Sequence, residues 1–118
     1  VEKKNRGLTR IIKAFGYSRD GLRAAWLTEA SFRQEILLCA VLTLIACLVD
    51  VTWVERSIML ASLVLLLIVE LINTAIETII ERISPEIHPL SKKAKDVGSA
   101  AVLLAFLLAI GVWIGILV

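Results

Sequence analysis

Three stretches of the chain are dominated by apolar residues, and the polar residues within and between them follow patterns that predict α-helices throughout. The first stretch is centred on Ile36 to Val49. A helix needs about 20 residues to cross a bilayer, so this stretch is expected to borrow from its N-terminal flank and to span about 31–49. The second runs from Ser57 to Ile83. At about 1.5 Å per residue it measures roughly 40 Å, longer than a hydrocarbon layer of about 30 Å, so its polar end should reach the headgroups. The third, 97–118, carries no charged residue and is the plainest span.

The first 30 residues read differently. Leu8, Ile11, Ile12 and Phe15 recur at helix spacing, with Arg10 and Lys13 on other faces. Gly16 and Gly21 bracket an expected break at GYSRDG, after which Leu22, Ala25 and Trp26 resume the apolar stripe. One or two amphipathic helices lying on a membrane surface fit this pattern, and a solvated basic tail is the alternative. The chain therefore divides into a surface-helix region, 1–30, and a three-helix membrane domain, 31–118. The fold class is all-α.

Charge orients the spans. Lys3, Lys4, Arg6, Arg10, Lys13, Arg19, Arg23 and Arg33 precede or open the first span, and Arg82, Lys92, Lys93 and Lys95 lie between the second and third. The segment between the first and second holds Arg56 with Asp50 and Glu55, which read as solvated loop charges. Basic residues stay cytoplasmic, so the N-terminus and the 82–96 segment are expected inside, and the C-terminus outside. Trp26, Trp53 and Trp113 fall near the expected interfaces.

Composition narrows the function. The chain has 118 residues, 58% of them hydrophobic, against about half in a soluble domain. That length leaves no room for a separate nucleotide-binding domain beside a membrane bundle, and neither GxxxxGK[ST] nor GxGxxG is present. A net charge of +2 does not suggest nucleic acid. Cys39 and Cys47 lack metal spacing and read as small packed side chains. No cleavable signal peptide is expected, because the basic N-terminus leads into an amphipathic stretch.

Candidate chemistry sits at the end of the second span, where Glu70, Asn73, Glu77 and Glu81 follow at spacings of three and four and so share one helix arc. Carboxylates at membrane depth are costly and usually face a bundle interior or a watery site. Glu29 and Glu35 lie where the first span begins, and Lys95 and Asp96 just before the third. Carboxylates and an amide suit magnesium, Lys and Arg suit phosphate, and a carboxylate free of metal can act as a base. These parts fit phosphoryl transfer. They also fit a proton or ion pathway, or interhelical polar glue. Taken alone, Asp96 suits the N-cap of the third span, and His88, in IHPL, suits a turn.

The run VELINTAIETIIERI and the later HPLSKKAKDVGSAAV closely resemble the signature region of the prokaryotic integral-membrane diacylglycerol kinases. GLTRIIKAFGYSRDGLRAAWLTEASFRQE resembles the diacylglycerol-phosphorylating branch of that family, and the likeness covers nearly the whole chain. The resemblance implies a homotrimer in the bacterial inner (plasma) membrane, with composite active sites that transfer the ATP γ-phosphate to diacylglycerol and yield phosphatidic acid. By position it implies Glu70 as general base and Glu29 and Glu77 as magnesium ligands. It implies Asn73 in support of the phosphoryl site, Lys95 on the γ-phosphate and Asp96 orienting the site. Arg10, Tyr17, Ser18 and His88 match positions near the nucleotide. Glu35 and Trp113 match positions lining the lipid site, and Glu81 has a lesser role. A related branch phosphorylates undecaprenol and shares HPL, which keeps that substrate open.

Overall fold

A computed structural model describes residues 6–83 and 87–118, so Lys3, Lys4 and Pro85 lie outside the described residues. The regular structure consists of α1 (Leu8–Thr28), α2 (Ala30–Leu48), α3 (Trp53–Ile83) and α4 (Pro89–Leu117). The chain forms two compact units, Val1–Ala30 and Ser31–Val118.

In the first unit α1 is unbroken, which corrects the expected break at Gly16–Gly21. A glycine inside a helix costs only about 1 kcal/mol relative to alanine, and the flanking Leu, Ile, Ala and Arg residues offset two of them. Within the described residues the glycine with positive φ is Gly7, at 60°, which precedes the first turn. The helix ends because Glu29 is extended (φ −114°, ψ 106°), while its backbone N–H still donates to Ala25 O at 2.9 Å.

The second unit holds α2, α3 and α4, each long and apolar enough to cross a membrane. The short α2–α3 connection is built by side chains. Thr52 N donates to Glu55 Oε1 at 3.0 Å, and Glu55 N donates to Thr52 Oγ1 at 3.1 Å. This reciprocal capping box starts α3 at Trp53, four residues before the expected 57. It also corrects the reading of Glu55 as merely a solvated loop charge. Arg56 reaches back to the end of α2, donating from Nε to Ala46 O and from Nη2 to Val49 O, both at 2.8 Å. Its guanidinium lies 4.7 Å from the Trp53 ring centroid. The final carbonyls of a helix lack intrahelical donors, and Arg56 supplies one to Ala46 O in the last turn of α2 and another to Val49 O just beyond it.

The start of α4 is also earlier than expected. Proline is favoured in the first turn of a helix, where its missing N–H is no loss. Pro89 occupies that place, and the His88 side chain caps the turn by accepting from Leu90 N at 3.1 Å. The helix therefore begins eight residues before 97. Asp96 is inside it, which overturns the expectation that Asp96 is the N-cap.

Packing is dominated by α3 against α4. Met59, Leu63, Leu66 and Glu70 form the buried stripe of α3, at the alternating four- and three-residue spacing of a helix seam. Gly98, Ala105 and Ala109 form the buried face of α4. Small residues let two membrane helices approach closely, where dispersion and hydrogen bonds hold them together. Cys39, Leu63, Leu66 and Ala105 make the core, flanked by Leu42 and Phe106. The indole of Trp113 points inward, donating from Nε1 to Ser62 Oγ at 3.2 Å and to Met59 O at 3.3 Å. It links α4 to the N-terminal half of α3, away from the acidic end of that helix.

Candidate functional site

The buried stripe of α3 does not stop at its last apolar residue. It continues through Glu70, Asn73 and Glu77 with the same spacing, so the seam that packs the bundle also carries its polar groups. Glu70 is 5% exposed and Glu35 is 8% exposed. Glu35 Oε1 is buried without a hydrogen-bond partner. Ser31, one turn before Glu35 on α2, donates from Oγ to Glu70 Oε1 at 2.9 Å. A side chain of α2 thus holds the buried carboxyl group of α3.

One turn further along α3, Asn73 Nδ2 donates to Glu77 Oε1 at 3.1 Å. The other amide atom, Asn73 Oδ1, is buried with no hydrogen-bond partner and lies against Gly98 of α4. A β-carbon at Gly98 would collide with it and would come within 3.4 Å of Asn73 Cγ. Gly98 is therefore what lets the amide lie between the two helices and reach Glu77. Gly98→Ala is expected to destabilise the α3–α4 pair by about 1–3 kcal/mol through overpacking. Gly111, on the same helix, has nothing within 4 Å of its would-be β-carbon, so Gly111→Ala should be neutral or mildly stabilising. Thermal midpoints of the two variants in one detergent check this contrast, and equal midpoints would refute it.

Lys95 lies three residues before Gly98, about 4.5 Å along the α4 axis, and is exposed at the same end of the bundle. Asp96 pairs with Lys92 at 2.6 Å, not with its neighbour Lys95, because residues four apart face each other on a helix. Both members of that pair are exposed. Glu81 is exposed on the last turns of α3.

The remaining sequence candidates belong to other stretches of the chain. Arg10, Tyr17 and Ser18 are exposed on α1, where Ser18 Oγ donates to Ala14 O at 2.9 Å. Glu29 is the extended residue that ends α1. His88 caps α4, and Trp113 is engaged with Ser62 and Met59. Sequence reasoning missed Ser31 and Gly98. The spacing of Ser31 to Glu35 was an available signal; the proximity of Gly98 to Asn73 had none, since it depends on how two helices cross.

Among the described residues, no three of His, Cys, Asp and Glu group into a metal cage. Magnesium, however, is commonly held by one or two carboxylates together with substrate phosphates. Glu77, oriented by Asn73 and only half-buried, suits that mode.

Fold and site together define a helical membrane protein whose acidic and amide side chains gather at one end of a three-helix bundle. The family profile described as prokaryotic diacylglycerol kinase matches residues 16–117. The chain is 50% identical over 107 residues to the diacylglycerol kinase of Escherichia coli K12, covering 91% of this chain and 88% of that one. Against the diacylglycerol kinase of Pseudomonas aeruginosa PAO1 the identity is 50% over 115 residues, covering 98% and 94%. A Helicobacter pylori diacylglycerol kinase is 37% identical over 113 residues, covering 96% and 88%. The chain belongs to the prokaryotic diacylglycerol kinase family.

Proposed function

We propose that this protein is a lipid kinase that transfers the γ-phosphate of ATP to the hydroxyl of diacylglycerol, giving phosphatidic acid and ADP. The observation that carries the reading is the α3 seam, in which Glu70, Asn73 and Glu77 follow one stripe in the C-terminal half of a helix long and apolar enough to cross a membrane. Phosphoryl transfer asks for positioning and charge neutralisation more than for covalent chemistry, and the groups gathered there serve those ends.

Glu70 takes the proton of the lipid hydroxyl as its oxygen bonds to the γ-phosphorus. The bond between that phosphorus and the β–γ bridging oxygen breaks, and ADP leaves. Glu35, against Glu70, lines the lipid side of the site. Asn73 holds the Glu77 carboxylate by its amide N–H. Glu29 and Glu77 would hold magnesium, which would neutralise phosphate charge when bound. Lys95 meets the γ-phosphate, and Asp96 restrains the same helix end through Lys92. Arg10, Tyr17, Ser18 and His88 contact the nucleotide, and Trp113 lines the lipid-facing groove.

We further assign the protein to the bacterial inner membrane, with its N-terminus cytoplasmic and α1 lying on the lipid surface by Leu8, Ile11, Ile12 and Phe15. Those side chains are well exposed, as a lipid-facing stripe requires. A homotrimer completes the site by bringing residues of neighbouring copies together. In support, three apolar helices of one copy leave Leu103, Leu104, Leu107 and Leu108 of α4 uncovered.

Labelled ATP supplied to the protein in mixed micelles, with diacylglycerol or undecaprenol offered separately, tests the reading. Labelled phosphatidic acid is the expected product. Labelled undecaprenyl phosphate alone would move the protein to the other branch of the family. No labelled lipid, with proton flux in liposomes lacking ATP, would overturn the kinase reading.

A further inference from the structure

We infer that Ser31 is a positioning residue for the proposed base, its hydroxyl holding the Glu70 carboxyl group in the orientation that accepts the proton of the lipid hydroxyl. This rests on the assignment of Glu70 as the base.

Four other helical hydroxyls behave differently. Ser18, Thr28, Ser57 and Thr78 each donate to the carbonyl four residues back, at 2.8 to 2.9 Å, the default for Ser and Thr inside helices. Ser31 instead crosses to another helix and donates to Glu70 Oε1 at 2.9 Å. The local backbone explains the change. Glu29 is extended, which interrupts the run of helical carbonyls just before Ser31.

The grip has a geometric consequence. A glutamate side chain has three rotatable bonds, and a base must present an oxygen within hydrogen-bond reach of the proton it takes. Ser31 and Glu35 are four residues apart on α2 and so share one face. Ser31 donates to Oε1 of Glu70, and Glu35 places a second buried carboxyl group on that face. With the hydroxyl removed, the hydrogen bond by which α2 fixes the carboxyl plane is lost.

Ser31→Ala isolates this effect. Alanine is the better helix former, and Ser31 is itself exposed, so α2 should not be weakened. The full-length variant, assayed in micelles with ATP and diacylglycerol, is expected to lose about tenfold in kcat, the scale of one hydrogen bond to a charged group. KM for ATP should be unchanged. Ser31→Thr keeps the hydroxyl and should recover most of the rate, which a loss of packing alone would not allow. Unchanged kcat for Ser31→Ala, a Ser31→Thr variant as slow as Ser31→Ala, or a defect confined to KM for ATP would each overturn the inference. Glu70→Gln, assayed in parallel, separates the two levels. If it is inactive while Ser31→Ala turns over normally, only the inference about Ser31 fails; if it is fully active, the base assignment fails and the inference fails with it.

Discussion

Glu70→Gln is expected to reduce turnover by about 100-fold or more, the range over which general bases act, while the affinity for ATP changes little. Glutamine keeps the length of the side chain and an oxygen able to accept from Ser31 Oγ, which now lies 2.9 Å from Glu70 Oε1. It also retains the contacts of a site that is 5% exposed. What it removes is the capacity to take a proton, so the loss should fall on the chemical step. Glu70→Asp provides the complement: it keeps the acid but withdraws it by one methylene, outside the reach of Ser31. Both variants should be slow, for different reasons. kcat and the ATP dissociation constant, measured in the same detergent, decide the matter. Normal turnover in Glu70→Gln, or a defect wholly in ATP affinity, would remove Glu70 from the base role and place it in the metal or nucleotide shell.

Glu77→Gln is expected to cost about 100-fold in rate as well, on the scale of a removed electrostatic stabiliser, and raised magnesium should restore little. The amide oxygen of glutamine can still accept from Asn73 Nδ2, which now donates to Glu77 Oε1 at 3.1 Å. The arrangement of α3 against α4 should survive, and with it the thermal midpoint. The change is therefore one of charge at a site suited to a hard cation. Rate as a function of magnesium concentration, with a melting curve on the same preparation, checks both halves. Near-normal turnover at ordinary magnesium would show that Glu77 does not hold the metal. A lowered midpoint with normal turnover per folded protein would make it a structural residue.

Much of the candidate site could be read along α3 itself. Glu70, Asn73 and Glu77 follow one helical repeat, and a carboxylate row inside an apolar segment is costly enough to demand a buried or functional face. The pairings were not legible. Ser31 and Glu70 stand 39 residues apart in sequence, and their hydrogen bond depends on how α2 lies against α3. Asp96 illustrates the converse. It looked like a cap because it precedes an uncharged run, but Pro89 and His88 begin the helix earlier and leave Asp96 facing Lys92. Local chemistry decided that boundary, and the stronger local signal lay upstream.

By itself the sequence determined the all-helical class, the number of long apolar helices and the arc that carries the acids. These follow from composition and a 3.6-residue period, which act within a helix whatever surrounds it. Only the tertiary structure decided that Ser31 holds Glu70, that Gly98 makes room for the Asn73 amide, and that Trp113 turns inward to Ser62. Each of these joins two helices, and the register of one helix on another is set by the fit of side chains at their crossing, which no period along a single helix encodes.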